Sequence, residues 1–219
     1  MIQLAAAELG EKLATGLAQL QLELDAGVQA RLLAYLDLLA KWNRSYNLTA
    51  VRKPEQMLVR HLFDSLAIHP YLRGTQILDV GTGAGLPGIP LALACPAQHF
   101  TLLDSNSKKT RFVTQAVAEL GLDNVTVVQS RIKAFKADAG FDTIVSRAYS
   151  TLAEFASGVQ SLLAANGILL AMKGVYPATE LAELPATFTL AENIELQVPE
   201  LDAERNLLVI QQIESGKPE

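Results

Sequence analysis

The chain has a single cysteine among its 219 residues. Cys95 has no partner for an intramolecular disulfide, which points to a reducing compartment and leaves no cysteine-rich zinc site. Histidine is almost as scarce. His61, His69 and His99 do not stand at helical ligand spacing to one another, so no metal centre is expected. No apolar run is long enough to cross a bilayer. The N-terminus lacks a positive segment, and Glu8 and Glu11 interrupt its apolar residues, so no signal peptide is expected. Net charge is −5, which argues against indiscriminate binding of nucleic acid but leaves room for a local basic patch. These absences describe a soluble cytoplasmic protein with nothing that demands more than a monomer. Half the residues are hydrophobic, enough to bury a sizeable core in one large domain or a domain with an appendage.

What is present centres on residues 76–104. Gln76-Ile-Leu-Asp-Val80 reads as a buried strand. Gly81-Thr-Gly-Ala-Gly-Leu-Pro-Gly88 is a glycine loop, an apolar helix-like run follows, and Phe100-Thr-Leu-Leu-Asp104 is a second buried strand ending in a carboxylate. Glycines allow a sharp turn and a close backbone approach to a ligand, and the next helix offers unpaired N–H groups. An acid at the tip of the second strand is where an open α/β sheet meets a ribose diol. Two registers compete. Gly83, Gly85 and Gly88 fit a dinucleotide fingerprint. Asp79, Gly81, Gly83 and Gly85 instead look like motif I of methyltransferases that use S-adenosylmethionine (SAM), in which the acid before the glycines orders the loop or an ammonium group. A tight turn with no ligand is the bland alternative, and a lone glycine-rich loop is weak evidence against it.

The periodicity predicts helices through residues 1–70: one carrying Leu9, Leu13, Leu17 and Leu20, a second carrying Val28 through Trp42, and a third from about Pro54 to Pro70. Residues 41–52 read as an irregular join, either a loop packed on Trp42 or an edge that contacts RNA beside the cofactor. From residue 74 the pattern alternates. Strands are expected at 77–80, 100–104, 125–129, 141–146 and 167–172, with helices at about 108–120 and 152–163. Their unbroken apolar runs suit a parallel sheet covered on both faces. A closing antiparallel hairpin is expected from 194–198 and 207–212. The expected organisation is a helical extension (1–70), a Rossmann-like SAM-dependent methyltransferase domain (71–214) and a frayed tail (215–219).

Ligands of open α/β sheets sit beyond the carboxyl ends of the strands. There the sequence places Asp104, to hold ribose hydroxyls. Ser105 or Ser107 would cap the next helix. Backbone and Ile132, in Ser130-Arg-Ile-Lys133, would bracket an adenine. Lys108, Arg131, Arg147, Lys173 and Arg205 all fall near this rim, as cations placed to meet phosphates. The turn after the fourth strand, Ser146-Arg-Ala-Tyr149, lacks the Pro-Pro-aromatic pattern common among enzymes that methylate exocyclic amines. Cys95 falls on the helix after the glycine loop, where packing is its expected role. A good nucleophile such as a purine N7 survives this elimination, as do small-molecule and protein targets.

The chain resembles the bacterial small-subunit ribosomal RNA guanine-N7 methyltransferases, also called the glucose-inhibited division protein B family. The resemblance rests on Trp42-Asn43…Tyr46-Asn-Leu-Thr49, Leu58-Val-Arg-His61…Asp64-Ser65, Asp79 through Pro90, Leu103-Asp-Ser105, Ser146-Arg-Ala148 and Leu201-Asp202…Glu204-Arg205. It implies transfer of a methyl group from SAM to one guanine N7, within a ribosomal subunit or precursor. It implies cofactor contacts at Gly81, Leu86, Ile132, Lys133 and Arg147, with Gly83 on the same loop. It implies substrate or catalytic roles for Lys108, Arg131, Arg147, Lys173 and Arg205. The family often has an acid where this chain has Lys133, so the contact implied there is a backbone one. An NAD(P)-dependent oxidoreductase and a non-catalytic ribosome assembly factor are the competing readings; the first lacks a hydride-transfer set such as Tyr-x-x-x-Lys.

Overall fold

The computed structural model describes residues 2–147 and 151–213, with side chains from residue 7 onward. The expected tail at 215–219, and Ala148 and Tyr149 of the turn after the fourth strand, lie outside the described residues.

Five strands run parallel: β1 (Gln76–Val80), β2 (His99–Asp104), β3 (Val125–Gln129), β4 (Phe141–Arg147) and β5 (Leu163–Lys173). β6 (Phe188–Glu195) and β7 (Asn206–Gln212) complete the sheet as an antiparallel pair, in the order β3-β2-β1-β4-β5-β7-β6. The central strands are apolar without alternation because both faces are covered. Along β1, Ile77 faces one core and Leu78 the other; along β7, Leu207 and Val209 oppose Leu208 and Ile210.

The cover is unequal. One face takes α1 (Ile2–Gln19), α2 (Ala26–Tyr46), α5 (Gly88–Ala94) and α6 (Ser107–Leu120). The other takes α7 (Leu152–Val159), with a 3-10 turn at Gln160–Leu162, and α8 (Ala178–Ala182). The third helical stretch is compound: α3 (Pro54–Met57), a π-helical segment Leu58–Phe63, then α4 (Asp64–Leu66). π-Turns are rare and often mark functional sites.

Three expectations change. Residues 41–46 are helical, not an irregular join. Trp42 and Tyr46, four apart on one face, stack at 5.1 Å, and Trp42 also packs on Phe112 of α6. The helix then stops at Asn47 in the left-handed conformation, φ 49°. The first hairpin strand is Phe188–Glu195, not 194–198. It is an edge strand, half exposed, and a register shift between Leu190 and Glu192 breaks the period-2 pattern that would have revealed it. The cap of α6 is Asn106, whose Oδ1 accepts from Lys108 N, not Ser105 or Ser107.

Gly16 of α1 faces the ring of buried Phe63, so a Cβ there would collide with the aromatic edge. Gly16→Ala gains about 1 kcal/mol of helix propensity, but overpacking costs about 1–3 kcal/mol. The variant should therefore be less stable than the parent in urea unfolding; a rise in stability would show that α1 shifts freely on the π-segment.

Candidate active site

The glycine loop is held from beneath. Asp79, fully buried, accepts through Oδ2 from Thr82 Oγ1 at 2.6 Å and from Gly88 N at 2.9 Å. Gly88 is required there, because a Cβ would strike Leu102 and crowd Asp79 Oδ2. From the other side, Tyr35 of α2 donates its hydroxyl to Ala84 O at 2.7 Å. Gly81 N and Thr82 N both donate to Leu103 O. Gly81, Gly83 and Gly85 all have positive φ, which only glycine adopts without strain. Asp79 Oδ1 is buried with no hydrogen-bond partner among the described residues. Burial pushes the Asp79 carboxyl up to about 6, against the lowering effect of the bonds from Thr82 and Gly88. It is still mostly ionised near neutrality, and this negative charge beneath the loop suits a positively charged ligand and opposes a pyrophosphate.

Beyond the ends of β1, β2 and β3 lies a cleft of about 390 Å³, within the range of small-molecule sites. Val80, Gly81, Leu103, Asp104, Ser105, Ser130, Arg131, Ile132 and Lys133 line it. The structure thus gathers Gly81, Asp104, Arg131, Ile132 and Lys133 around one cavity. Gly83 is tied to its rim, donating its N–H to Asp104 Oδ2 at 2.9 Å. Asp104 Oδ1 accepts from Asn106 N at 2.8 Å, and each oxygen keeps lone-pair capacity for a further donor. Leu86 belongs to the same loop but is buried and does not line the cleft. Lys108 is exposed in the first turn of α6, beyond Asn106.

The other three cations of the expected rim are not free to meet phosphates, which corrects the picture of one open basic edge. Arg147 Nη1 donates to Asp64 Oδ2 at 3.1 Å and to the carbonyl of Arg60 at 3.0 Å. Arg205 Nε donates to Asp64 Oδ1 at 2.7 Å. Lys173 Nζ pairs with Glu180 at 2.8 Å. Each of these cations is mostly buried and is met by a carboxylate, the buried Asp64 for the two arginines and the half-buried Glu180 for Lys173, where leaving it unpaired would carry the full desolvation penalty.

Asp64 is the residue that sequence reasoning passed over. Its sequence signals are its place in the Leu58–Ser65 stretch that carries the family resemblance, and a carboxylate three residues after His61, among Leu62, Ser65 and Leu66, where the helix turns inward. Glu180 gives no such signal, since it lies in a short polar segment. His61 is buried beside this cluster. Its Nε2 lies 2.9 Å from Thr49 Oγ1, and its Nδ1 has no hydrogen-bond partner among the described residues. Burial, with Arg147 nearby, pushes the imidazole down to about 4, so it is neutral at physiological pH. Cys95 is the C-terminal cap of α5, and Gln98 N, just before β2, donates to its carbonyl. It therefore sits at the opposite end of the strands from the cleft. Burial pushes its thiol up to about 11.

Two measurements follow from this cluster. Asp64→Ala strands two largely buried guanidinium groups, and breaking such a pair costs about 3–5 kcal/mol, less where the arginines can rehydrate. Urea unfolding should show a loss of about 2 kcal/mol or more; a loss under about 0.5 kcal/mol would mean that the ion pairs are incidental. His61 prefers its neutral form more strongly folded than unfolded. Its stabilising contribution is complete above about pH 6.5 and declines as pH falls toward 4. The decline is bounded at about 3 kcal/mol. Asp79, with its raised value, acts in the opposite sense over about pH 4–6. Comparison of stability against pH for the parent and His61→Gln isolates the histidine: the variant should lose less stability between pH 7 and 4.5, and parallel curves would contradict the assignment.

The antiparallel β7 between β5 and β6 departs from the all-parallel dinucleotide fold. The family model for rRNA small subunit methyltransferase G matches residues 28–209. The ribosomal RNA small subunit methyltransferase G of Chromohalobacter salexigens is 55% identical over 197 residues, 90% of this chain and 94% of that protein. The protein of the same name from Hahella chejuensis is 50% identical over 200 residues, 91% of this chain and 92% of that one. That of Nitrosococcus oceani is 49% identical over 209 residues, 95% and 98% of the two chains. More distant solved structures share the fold. The glycopeptide N-methyltransferase MtfA aligns with a TM-score of 0.60 at 14% identity, covering 74% of this chain and 100% of that one. A SAM dependent methyltransferase from Aquifex aeolicus aligns at 0.56 and 17% identity, covering 78% and 97%. With its glycine loop, its cleft and the Asp64 cluster all inside the matched span, the chain belongs to the rRNA small subunit methyltransferase G family.

Proposed function

We propose that the protein transfers a methyl group from SAM to N7 of one guanosine in bacterial small-subunit ribosomal RNA, carried in a ribosomal subunit or its precursor. The observation that carries this reading is the cleft itself: Asp104 at its rim, Ile132 and Lys133 along one wall, and buried negative charge under its glycine loop. These features fit a nucleoside cofactor with a positive amino-acid end. Asp104 would take the ribose hydroxyls, and Ile132 with the Lys133 backbone would flank the adenine. Gly81, Gly83 and Arg147 would complete the contacts, with the buried Leu86 acting only through the loop it anchors. The cofactor supplies an electrophilic methyl group on a sulfonium.

The chain's own task is then to place a nucleophile. A purine N7 attacks through a lone pair and loses no proton, so no general base is required. The described residues near the cleft are consistent with that. His61 is buried and hydrogen-bonded to Thr49, Asp104 is occupied in holding Gly83 and Asn106, and Cys95 lies at the far end of the strands with a raised thiol. Catalysis rests on positioning and on fixed positive charge from Lys108, Arg131 and Arg147. Lys108 and Arg131 would meet the RNA directly, whereas Lys173 and Arg205, paired with Glu180 and Asp64, would act through oriented rather than free charge. The protein works in the cytoplasm as a monomer.

Purified protein, radiolabelled SAM and small ribosomal subunits lacking the modification should yield labelled 7-methylguanosine on nuclease digestion. Arg131→Ala and Arg147→Ala should each lower turnover at least about tenfold, as removal of a fixed electrostatic partner does. Label in another nucleoside would refute N7 as the target, and label on large-subunit or transfer RNA alone would refute the substrate.

A further inference from the structure

The end of α2 and the loop after it carry Lys41, Arg44, Arg52 and Lys53, and no acid lies between residues 38 and 54. The stretch has a charge of +4 in a chain whose net charge is −5, so the remainder carries −9. All four side chains are exposed, and among the described residues none makes a salt bridge. This contrasts with Arg147, Lys173 and Arg205, each tied to a carboxylate.

The segment is also rigidly built. The Asn43 side chain is buried; its Oδ1 accepts from Thr49 N and its Nδ2 donates to Val51 O. Val51 N donates to Thr49 Oγ1, which also meets His61 Nε2. Arg52 Nη2 donates to Asn47 Oδ1 at 3.1 Å. Tyr46 is 37% exposed, stacked on Trp42 beside these cations. Four cations without a carboxylate partner are thus held on a preformed knuckle, where little ordering entropy remains to be lost on binding. The knuckle is wired to the Asp64 cluster. Thr49 contacts His61, and the carbonyl of the preceding residue, Arg60, accepts from Arg147 at the end of β4.

We propose that this knuckle, Lys41, Arg44, Arg52 and Lys53, is the surface that docks the phosphate backbone of folded RNA, with Tyr46 as a face on which an unstacked base can lie. It rests on the reading of an RNA substrate and adds a primary docking surface outside the cleft. The cleft cations act on the target nucleotide; the knuckle supplies the salt-dependent, sequence-independent share of binding and sets the register. An acidic protein with a local excess of positive charge on one segment is steered to its RNA in a preferred orientation.

The test uses the full chain carrying Lys41→Ala, Arg44→Ala, Arg52→Ala and Lys53→Ala together, unmethylated small subunits and saturating SAM. KM for subunits should rise about tenfold or more near physiological salt, while kcat stays within about twofold. The log–log dependence of binding on salt should become shallower by about 2 or more, near one for each phosphate no longer neutralised. Exchange of the same residues for the other basic type (Lys41→Arg, Arg44→Lys, Arg52→Lys, Lys53→Arg) should restore KM. An unchanged KM and slope would overturn the proposal, as would a rise in KM with no change in slope. Melting temperature and SAM binding of each variant exclude misfolding. Subunit binding is measured separately from turnover, so a parent protein that binds but does not methylate would count against the proposed reaction and leave the docking surface to be judged by its salt slope.

Discussion

One buried carboxylate joins the two halves of this protein. Asp64 comes from the helical extension, yet its two oxygens are taken by arginines from the sheet, Arg147 at the end of β4 and Arg205 just before β7. Burying a carboxylate is unfavourable unless it is paired and hydrogen-bonded, and a single pair often only breaks even. Two guanidinium groups on one acid change that balance and leave a net positive charge at the edge of the cleft. The π-helical winding at Leu58–Phe63 belongs to the same arrangement. It brings the Arg60 carbonyl and the Asp64 carboxylate to one guanidinium, so backbone and side chain fix Arg147 together. An apolar residue at position 64 would pack as well but would leave both arginines without a fixed direction.

A second carboxylate sets the cofactor loop. Asp79 uses one oxygen to tie the start and end of the loop and leaves the other unpaired, while Tyr35 pins the middle from α2. The loop is therefore braced by both the sheet and the extension before any ligand arrives, and preorganised sites of this kind lose little on binding. Two titrating groups beside the loop and the Asp64 cluster, Asp79 and His61, are both buried and shifted toward their neutral forms. At neutral pH His61 is uncharged while Asp79 is still mostly ionised, so the interior beside Arg147 carries charge only on carboxylates that hydrogen bonds or ion pairs hold in place.

The parallel core was legible because both faces of the sheet are covered, which turns each central strand into an unbroken apolar run. The glycine loop and Asp104 were legible because turn geometry and strand-end position restrict residue type strongly. The edge was not. β6 carries Thr189, Glu192 and Asn193 and has a register shift, so period 2 fails there. The helical end of α2 was hidden because Asn43, Asn47 and Thr49 read as loop residues; they cap and bind the turn that follows, while Trp42 and Tyr46 supply the helical contact. The cations were found by position, but their partners were not. Asp64 and Arg205 are 141 residues apart, and no local pattern encodes such a pairing.

That separation of partners explains how an acidic chain can handle RNA. Cations that hold a fixed direction need a carboxylate partner, and Asp64 and Glu180 supply one at the expense of free charge. Cations that capture a polyanion must instead remain unpaired and exposed, because attraction at a distance depends on net local charge. The chain keeps the two kinds apart: Arg147, Lys173 and Arg205 are neutralised in part where geometry matters, and Lys41, Arg44, Arg52 and Lys53 are left bare on a rigid knuckle. Thr49 and His61 connect the two regions through the π-segment. A backbone held at the knuckle thereby bears on the element that sets Arg147, so capture and positioning share one stiff piece of structure.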